Sequence, residues 1–348
     1  MQIRPERLKR VIVEILKGFK ATETEAQIVA ECMVFADMRG IDTHGVHFLT
    51  LVADRVKAGM IRIPTPLSVV SDEGATGLID GGDGLGQVAA CRAMEMSIKK
   101  ARQFGVGTTL VRNANNVGSL AFYTLLAARN GMVGVIASNA APAISPWGGT
   151  EPFFGTNPLS IAVPADSGDP VVLDMSSSVV ARGKIRRAER MKEAIPLGWA
   201  TDEAGTPTTD PAAAMKGTLL PIGGPKGYGL AFMNDVLAGL LSGSHFGPAV
   251  KTFHQPQGPT GVGVFTLAID VRRFMPLEQF QGLVQAYASA IRASKKAKGV
   301  ERIFLPGEIE AEKEKKSRDE GIVLNVQVAQ RLKELLEEVK SDLRLSEE

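Results

Sequence analysis

The 348-residue sequence predicts an α/β fold, a mixed central sheet with helices on both faces, plus a helical layer built from both termini. Three observations predict it. Both ends of the chain carry apolar residues at helical spacing. The middle alternates helical patterns with bare apolar runs, the signature of strands covered on both faces. At 44% hydrophobic and 22% charged residues, the composition is that of a soluble globular protein with a sizeable core.

The elements follow in order. Residues 4–20 place Leu8, Val11, Ile12, Ile15, Leu16 and Phe19 on one helical face. Thr22 and Glu25 offer a capping box for a second helix over 23–38. A Pro-rich connector at 63–67 precedes the amphipathic stretch GQVAACRAMEMSIKKAR and the strand GVGTTLVRN. LAFYTLLAARN is helical, and MVGVIASNA, LSIAVPA and DPVVLDMSS read as buried strands. Residues 195–225 carry the turn residues of a surface excursion, after which GYGLAFMNDVLAGLLSG is an apolar helix. GVGVFTLAIDV is expected to close the sheet as its final strand. PLEQFQGLVQAYASAIRAS is a helix, EAEKEKKSRDEG a charged solvated stretch, and QVAQRLKELLEEVK a helix with Val328, Leu332, Leu335, Leu336 and Val339 on one face. Residues 75–290 then form the central domain, and 1–74 with 291–348 the helical one.

Charge and cysteine content exclude several function classes. Forty basic against 38 acidic residues leave a net +2 with no dense basic block, which argues against nucleic acid or a membrane surface as partner. Cys32 and Cys91 lie in apolar helical segments with no CxxC pair or nearby histidine, so neither a disulfide framework nor a metal site is expected. No apolar run is long enough to span a bilayer and the start MQIRPERLKR lacks a signal-peptide pattern, so the expected location is the cytoplasm.

Gly82-Asp83-Gly84-Leu85-Gly86 approaches GxGxxG, but its third glycine falls one place early. Walker-A, GxSxG and HExxH patterns are absent as well. Chemistry-bearing residues collect instead in polar, glycine-bearing segments beside apolar runs. In Arg39-Gly40-Ile41-Asp42-Thr43-His44-Gly45-Val46-His47-Phe48, His44 reads either as a general acid/base, since imidazole titrates near neutrality, or as a helix-start histidine bonded to backbone. Asn113–Ser119 and Gly155-Thr156-Asn157-Pro158 read first as turns. Asp174-Met175-Ser176-Ser177-Ser178 follows a strand, where ligands collect and hydroxyls can reach phosphate or ribose. Gly223–Gly229 sets Lys226 at a helix start that already favours anions, so either a bound anion or a solvated lysine side chain would fit.

Taken in order, RGIDTHGV, NAAPAISPWGGTEPFFGTNP, VLDMSSSVVARGKI, IPLGWATDEAGTPTTDP, LPIGGPKGYGLAFMNDVLAG and LPGE resemble the malate/L-lactate dehydrogenase family of the second type, over about residues 5–340. The resemblance implies a non-Rossmann fold that binds NAD or NADP, a homodimer with the cofactor near the subunit boundary, and hydride transfer at a carbon next to a carboxylate. It implies a small-molecule substrate without naming it, since members include sulfolactate, malate and ureidoglycolate dehydrogenases, a diketogulonate reductase and cyclic-imine carboxylate reductases. It makes His44 the proton donor and Thr43, His47, Phe48, Asn116 and Thr156 substrate contacts. It assigns Asp174, Met175, Ser176, Ser177, Ser178, Pro225, Lys226, Gly307 and Glu308 to the dinucleotide. Two positions depart from the family pattern: Phe48 replaces an arginine suited to a substrate carboxylate, and Asn116 replaces a second histidine. The alternative these departures raise is a cofactor-binding homologue without turnover.

Overall fold

The computed structural model describes residues 1–166, 170–255 and 257–345. The chain opens with a short strand β1 (Gln2–Ile3) and the helices α1 (Pro5–Gly18) and α2 (Glu23–Met38). α1 starts on a proline, whose missing N–H is one that a first helical turn leaves unbonded anyway. α2 starts on the expected box: Thr22 Oγ1 accepts the Glu25 N–H at 3.3 Å, and the Glu25 carboxylate accepts the Thr22 N–H at 2.8 Å. After α3 (His47–Lys57), the strands β2 (Ser68–Glu73) and β3 (Thr76–Asp80) lead into α4 (Gly86–Phe104), β4 (Val106–Ala114) and α5 (Ala121–Arg129). The strands β5 (Met132–Ser138), β6 (Leu159–Val163) and β7 (Val171–Met175) follow. The stretch after β7 holds α6 (Arg182–Met191), and the excursion that follows holds the small hairpin β8 (Ala200–Thr201) and β9 (Pro207–Thr208), and α7 (Pro211–Lys216). Last come α8 (Pro225–Asp235), β10 (Val262–Asp270), α9 (Leu277–Ala293), α10 (Glu308–Glu320), β11 (Ile322–Val323) and α11 (Val326–Glu338).

The main sheet has the order β2-β3-β4-β10-β5-β6-β7, with β3 and β4 parallel and every other pair antiparallel. β10, the last strand of this sheet in chain order, therefore lies at its centre. Its residues pair on both sides, Thr266 with Thr109 of β4 and with Ile136 of β5, which satisfies both rows of backbone groups on one long apolar strand. Val264 and Ala268 are buried beneath α4 and α5 together with Val111, Ile136, Met94 and Tyr123. The Ser97 and Thr266 hydroxyls satisfy each other at 2.8 Å inside this core. On the opposite face α8 continues into a π-helical turn, Val236–Leu240, that presses on β10. Gly263 makes room for it, because a Cβ there would fall 1.8 Å from the Ala238 carbonyl oxygen.

Both chain ends build one helical core. Leu8, Ile12 and Leu16 of α1, Met33 of α2, Leu49 of α3, and Leu332 and Leu335 of α11 are all fully buried in it. Each such side chain contributes roughly 1.5–3 kcal/mol by leaving water. The inward apolar faces of α1 and α11 are thus closed within the chain.

The charged stretch after residue 307 is a helix, α10, where the sequence suggested only solvated chain. It has no apolar period to reveal it. It is held by i,i+4 ion pairs such as Arg318 to Glu314 and by Glu314 reaching down to the buried Arg39 at 2.9 Å. Ser317 also donates to the Met38 carbonyl, so α10 is fastened along the end of α2.

Candidate active site

The turn that carries His44 is produced by the way α2 ends. Gly40 takes a left-handed φ of +73°, the Ile41 N–H reaches back to the Ala36 carbonyl at 2.8 Å, and Asp42–His44 make one 3-10 turn before α3 begins. Beneath this turn lies Asp37, whose Oδ2 accepts the Val46 N–H at 2.8 Å. A Cβ at Gly45 would fall 1.8 Å from Asp37 Oδ1, so only glycine lets the backbone pass over the carboxylate. Burial pushes the Asp37 carboxyl up to about 7, opposed by the Val46 hydrogen bond and reinforced by Asp42.

The His44 ring is tucked into the turn. Its Nδ1 is buried and meets no hydrogen-bond partner among the described residues. Burial lowers its pKa, with Asp42 pulling the other way. A neutral imidazole with one unpaired nitrogen is a group prepared to exchange a proton, which favours the acid/base reading over a histidine satisfied by backbone.

α6 touches this turn at Thr43. Gly183 lies against Thr43, with 3.1 Å between its Cβ position and Thr43 Cγ2. Ile185 and Ala188, on the opposite side of the same helix, pack into a separate core with Phe154 and Leu219. His47 projects from the start of α3 and is lowered by burial and then by Arg190 of α6. His254 joins it from the loop before β10: Arg55 of α3 donates to the Phe253, Gln255 and Gly258 carbonyls and so ties that loop to α3. Burial first, then Arg186, His47 and Arg55, hold His254 down at about 4. Phe48 does not face this cluster. It is buried in the helical core and stacked on Phe253 with ring centroids 4.4 Å apart.

The remaining segments meet at the end of β7. The Ser177 N–H donates to the Thr156 carbonyl at 2.7 Å, and the Ile222 N–H donates to the Ser177 carbonyl at 2.9 Å. Ser178 forms an antiparallel bridge with Pro221. Backbone bonds thus bring the Thr156, Ser176–Ser178 and Ile222–Lys226 segments side by side. Within them, Ser177 Oγ is buried on the Asn157 carbonyl, while Ser176 stays half-exposed with its hydroxyl next to that of Ser178. Asp174 turns inward: Oδ2 accepts Ser119 Oγ at 3.0 Å and the Ala121 N–H at 2.8 Å, where it caps the start of α5. Met175, at the end of β7, is half-buried. Asn116 Oδ1 accepts the Gly118 N–H at 2.9 Å and so closes its own turn.

Gly223 and Gly224, at φ of +61° and +63°, bend the chain into Pro225 at the start of α8, and Lys226 stands exposed there. Gly307 opens α10 against β7, where a Cβ would fall 2.4 Å from Val172 Cγ1. Its carbonyl accepts Arg39, while the Glu308 carboxylate is held by Arg302, by Arg292 and by the Leu305 N–H. The Gly82–Gly86 loop is no phosphate cradle, since Cβ atoms at Gly84 and Gly86 would strike Thr65 and the Asn115 carbonyl. A nicotinamide dinucleotide fits the Ser176, Pro225–Lys226 and Gly307 group instead. An unpaired cation at the positive end of α8 suits its phosphates, and the half-exposed Ser176 suits a ribose. His44, with its orphaned nitrogen, suits a reacting oxygen.

Sequence reasoning missed Asp37, His254 and the α6 arginines. Asp37 reads as an ordinary polar residue at a helix end. His254 carried a weak signal as one of only four histidines in the chain.

The chain is similar to known proteins over nearly its whole length. The family profile described as malate/L-lactate dehydrogenase matches residues 3–333. L-sulfolactate dehydrogenase of Methanocaldococcus jannaschii is 40% identical over 339 residues, 97% of each chain. The solved structure of sulfolactate dehydrogenase from that organism superposes with a TM-score of 0.93 at 38% identity, covering 99% of this chain and 98% of the other. Ureidoglycolate dehydrogenase (NAD(+)) of Escherichia coli K12 is 33% identical over 92% of each chain. The (2R)-3-sulfolactate dehydrogenase (NADP(+)) of Chromohalobacter salexigens is 36% identical over 79% of this chain and 83% of its own. Fold and relatives together define a dehydrogenase built without the doubly wound nucleotide fold. The chain belongs to the malate/L-lactate dehydrogenase family.

Proposed function

We propose that the protein is an NAD(P)-dependent oxidoreductase that interconverts a 2-hydroxy acid and the corresponding 2-oxo acid, with His44 as the proton-exchanging residue. The observation that carries this reading is the buried Nδ1 of His44, without a partner among the described residues, in a turn fixed by Asp37 and touched by α6. Ser176, Pro225, Lys226 and Gly307 hold the dinucleotide, which supplies or takes the hydride when bound. His44 gives a proton to the substrate oxygen in reduction and removes it in oxidation. Thr43 offers a hydroxyl beside it. The backbone bonds between the Thr156, Ser177 and Ile222 segments fix the cofactor residues relative to one another.

The expected result is consumption of NADH or NADPH with a panel of 2-oxo acids. Calorimetry showing that a folded protein binds neither dinucleotide would overturn the cofactor assignment. Binding without turnover across the panel would instead favour the non-catalytic homologue that Asn116 suggests. The buried free thiols Cys32 and Cys91 support a reducing compartment, the cytoplasm. No helix among the described residues is long and apolar enough to cross a membrane.

We also propose a homodimer, on grounds other than the terminal helices. Phe232, Met233, Leu240 and Leu241, along α8 and its π-helical turn, are exposed together with Phe153 and Phe246. Gly247 seats against the Phe153 ring, and Phe232 lies edge-on to Phe154, so these residues border one another. An apolar surface of this kind on a soluble chain is expected to be covered by another subunit. Light scattering is expected to give twice the chain mass, and the double change Leu241→Asp with Phe246→Asp to give the monomer. A wild-type monomer at micromolar concentration would remove the proposal.

A further inference from the structure

The substrates expected of this site are anions, yet on α3 position 48 holds a phenylalanine stacked into the core and the Arg55 guanidinium is engaged by the Phe253, Gln255 and Gly258 carbonyls. Positive charge reaches His47 and His254, beside the His44 turn, from another element. On α6, Ile185 and Ala188 face their own core, while Gly183, Arg186 and Arg190 share the other side at helical spacing. Gly183 is the residue that touches Thr43, which aims this side of the helix at the His44 turn. His254 and His47 lie within electrostatic reach of Arg186 and Arg190 respectively.

Arg186 is half-buried and has no hydrogen-bond or ion-pair partner among the described residues. Burial lowers its pKa, and Glu189 is the one acid opposing this. Asp42 is the acid that faces the histidines, and burial outweighs it at both His44 and His47. A half-buried guanidinium with no ion-pair partner among the described residues, beside imidazoles held neutral, is a place where a planar anion lowers the free energy. Its rigid fork matches a carboxylate in two parallel hydrogen bonds.

We propose that Arg186 binds the carboxylate of the substrate, with Arg190 adding charge from the rim, so that α6 supplies the cation that position 48 lacks and makes the enzyme selective for anionic 2-oxo and 2-hydroxy acids. This rests on the oxidoreductase reading above. Selectivity then belongs to α6 and not to α3.

The test compares wild type, Arg186→Gln and Arg186→Lys by steady-state kinetics with pyruvate, methyl pyruvate and oxaloacetate, and by calorimetry with oxalate. Arg186→Gln is expected to raise the KM for oxaloacetate at least 30-fold. It is also expected to abolish the preference for pyruvate over its neutral ester, and to leave NAD(P)H affinity within twofold. Arg186→Lys, which keeps the charge but loses the fork, should fall between. Turnover by Arg186→Gln with unchanged KM and unchanged acid-over-ester preference overturns the assignment. If wild type turns over no 2-oxo acid, the oxidoreductase reading fails separately and oxalate decides the anion site. At least tenfold weaker oxalate binding to Arg186→Gln supports it, and equal or undetectable binding to both proteins overturns it.

Discussion

Replacing His44 by alanine is expected to lower kcat for 2-oxo acid reduction by about 10²–10⁴-fold while leaving NAD(P)H affinity nearly unchanged. The ring sits in the turn with Nδ1 unpaired, and the cofactor residues lie on other segments, at the end of β7 and the starts of α8 and α10. Loss of the imidazole therefore removes proton exchange in the transition state without touching the cradle. The pH dependence follows from the same burial. His44 is lowered from its usual range, so in the free enzyme it is neutral at pH 7 and ready to accept a proton. Oxidation of the hydroxy acid should hold its kcat/KM at neutral pH and lose it only as pH falls through that lowered value. An enzyme equally active as His44→Ala, or an oxidation rate that falls below pH 8, would remove His44 from the mechanism.

How much of this was legible in the sequence depends on the range of the interaction concerned. Helices α1 and α2 could be read because their signals are local: an apolar stripe, and a Thr22–Glu25 box whose two hydrogen bonds lie within four residues. β10 could be recognised as a strand but not placed, because lateral order in a sheet is set by packing between distant segments. α10 was hidden because its anchor, Arg39 to Glu314, spans most of the chain. At the site, the His44 motif stood out by residue type. The fate of Phe48 did not, since its partner Phe253 is far away in sequence and the side chain turns into the core. Asp174 shows the same limit: a carboxylate at a strand end suggested ligand contact, whereas its Oδ2 caps α5. Asp37 was missed because nothing local marks a carboxylate that a glycine eight residues later will cover.

Asp37 gives the second large expected effect, on stability. Its carboxyl is held near 7 in the folded chain against an ordinary value of 3.8. A raised carboxyl pKa means that the folded state binds the extra proton, so its stabilising contribution is complete below about pH 4 and is lost as pH rises through about 7. At 1.36 kcal/mol per pK difference, the loss is on the order of 4 kcal/mol. His44 and His47, both lowered, act in the opposite sense, contributing above 6.5 and losing stability as pH falls, so the raw curve mixes the two. The difference between wild type and Asp37→Asn isolates the carboxyl, because asparagine keeps an oxygen for the Val46 N–H and cannot ionise. Denaturant unfolding between pH 4 and 8 is expected to show Asp37→Asn gaining on wild type by a few kcal/mol as pH rises. Most of that gain should appear between pH 5 and 7. A difference that stays flat across the range would show that the carboxyl beneath Gly45 ionises normally, and the turn that presents His44 would then rest on a charged group rather than a neutral one.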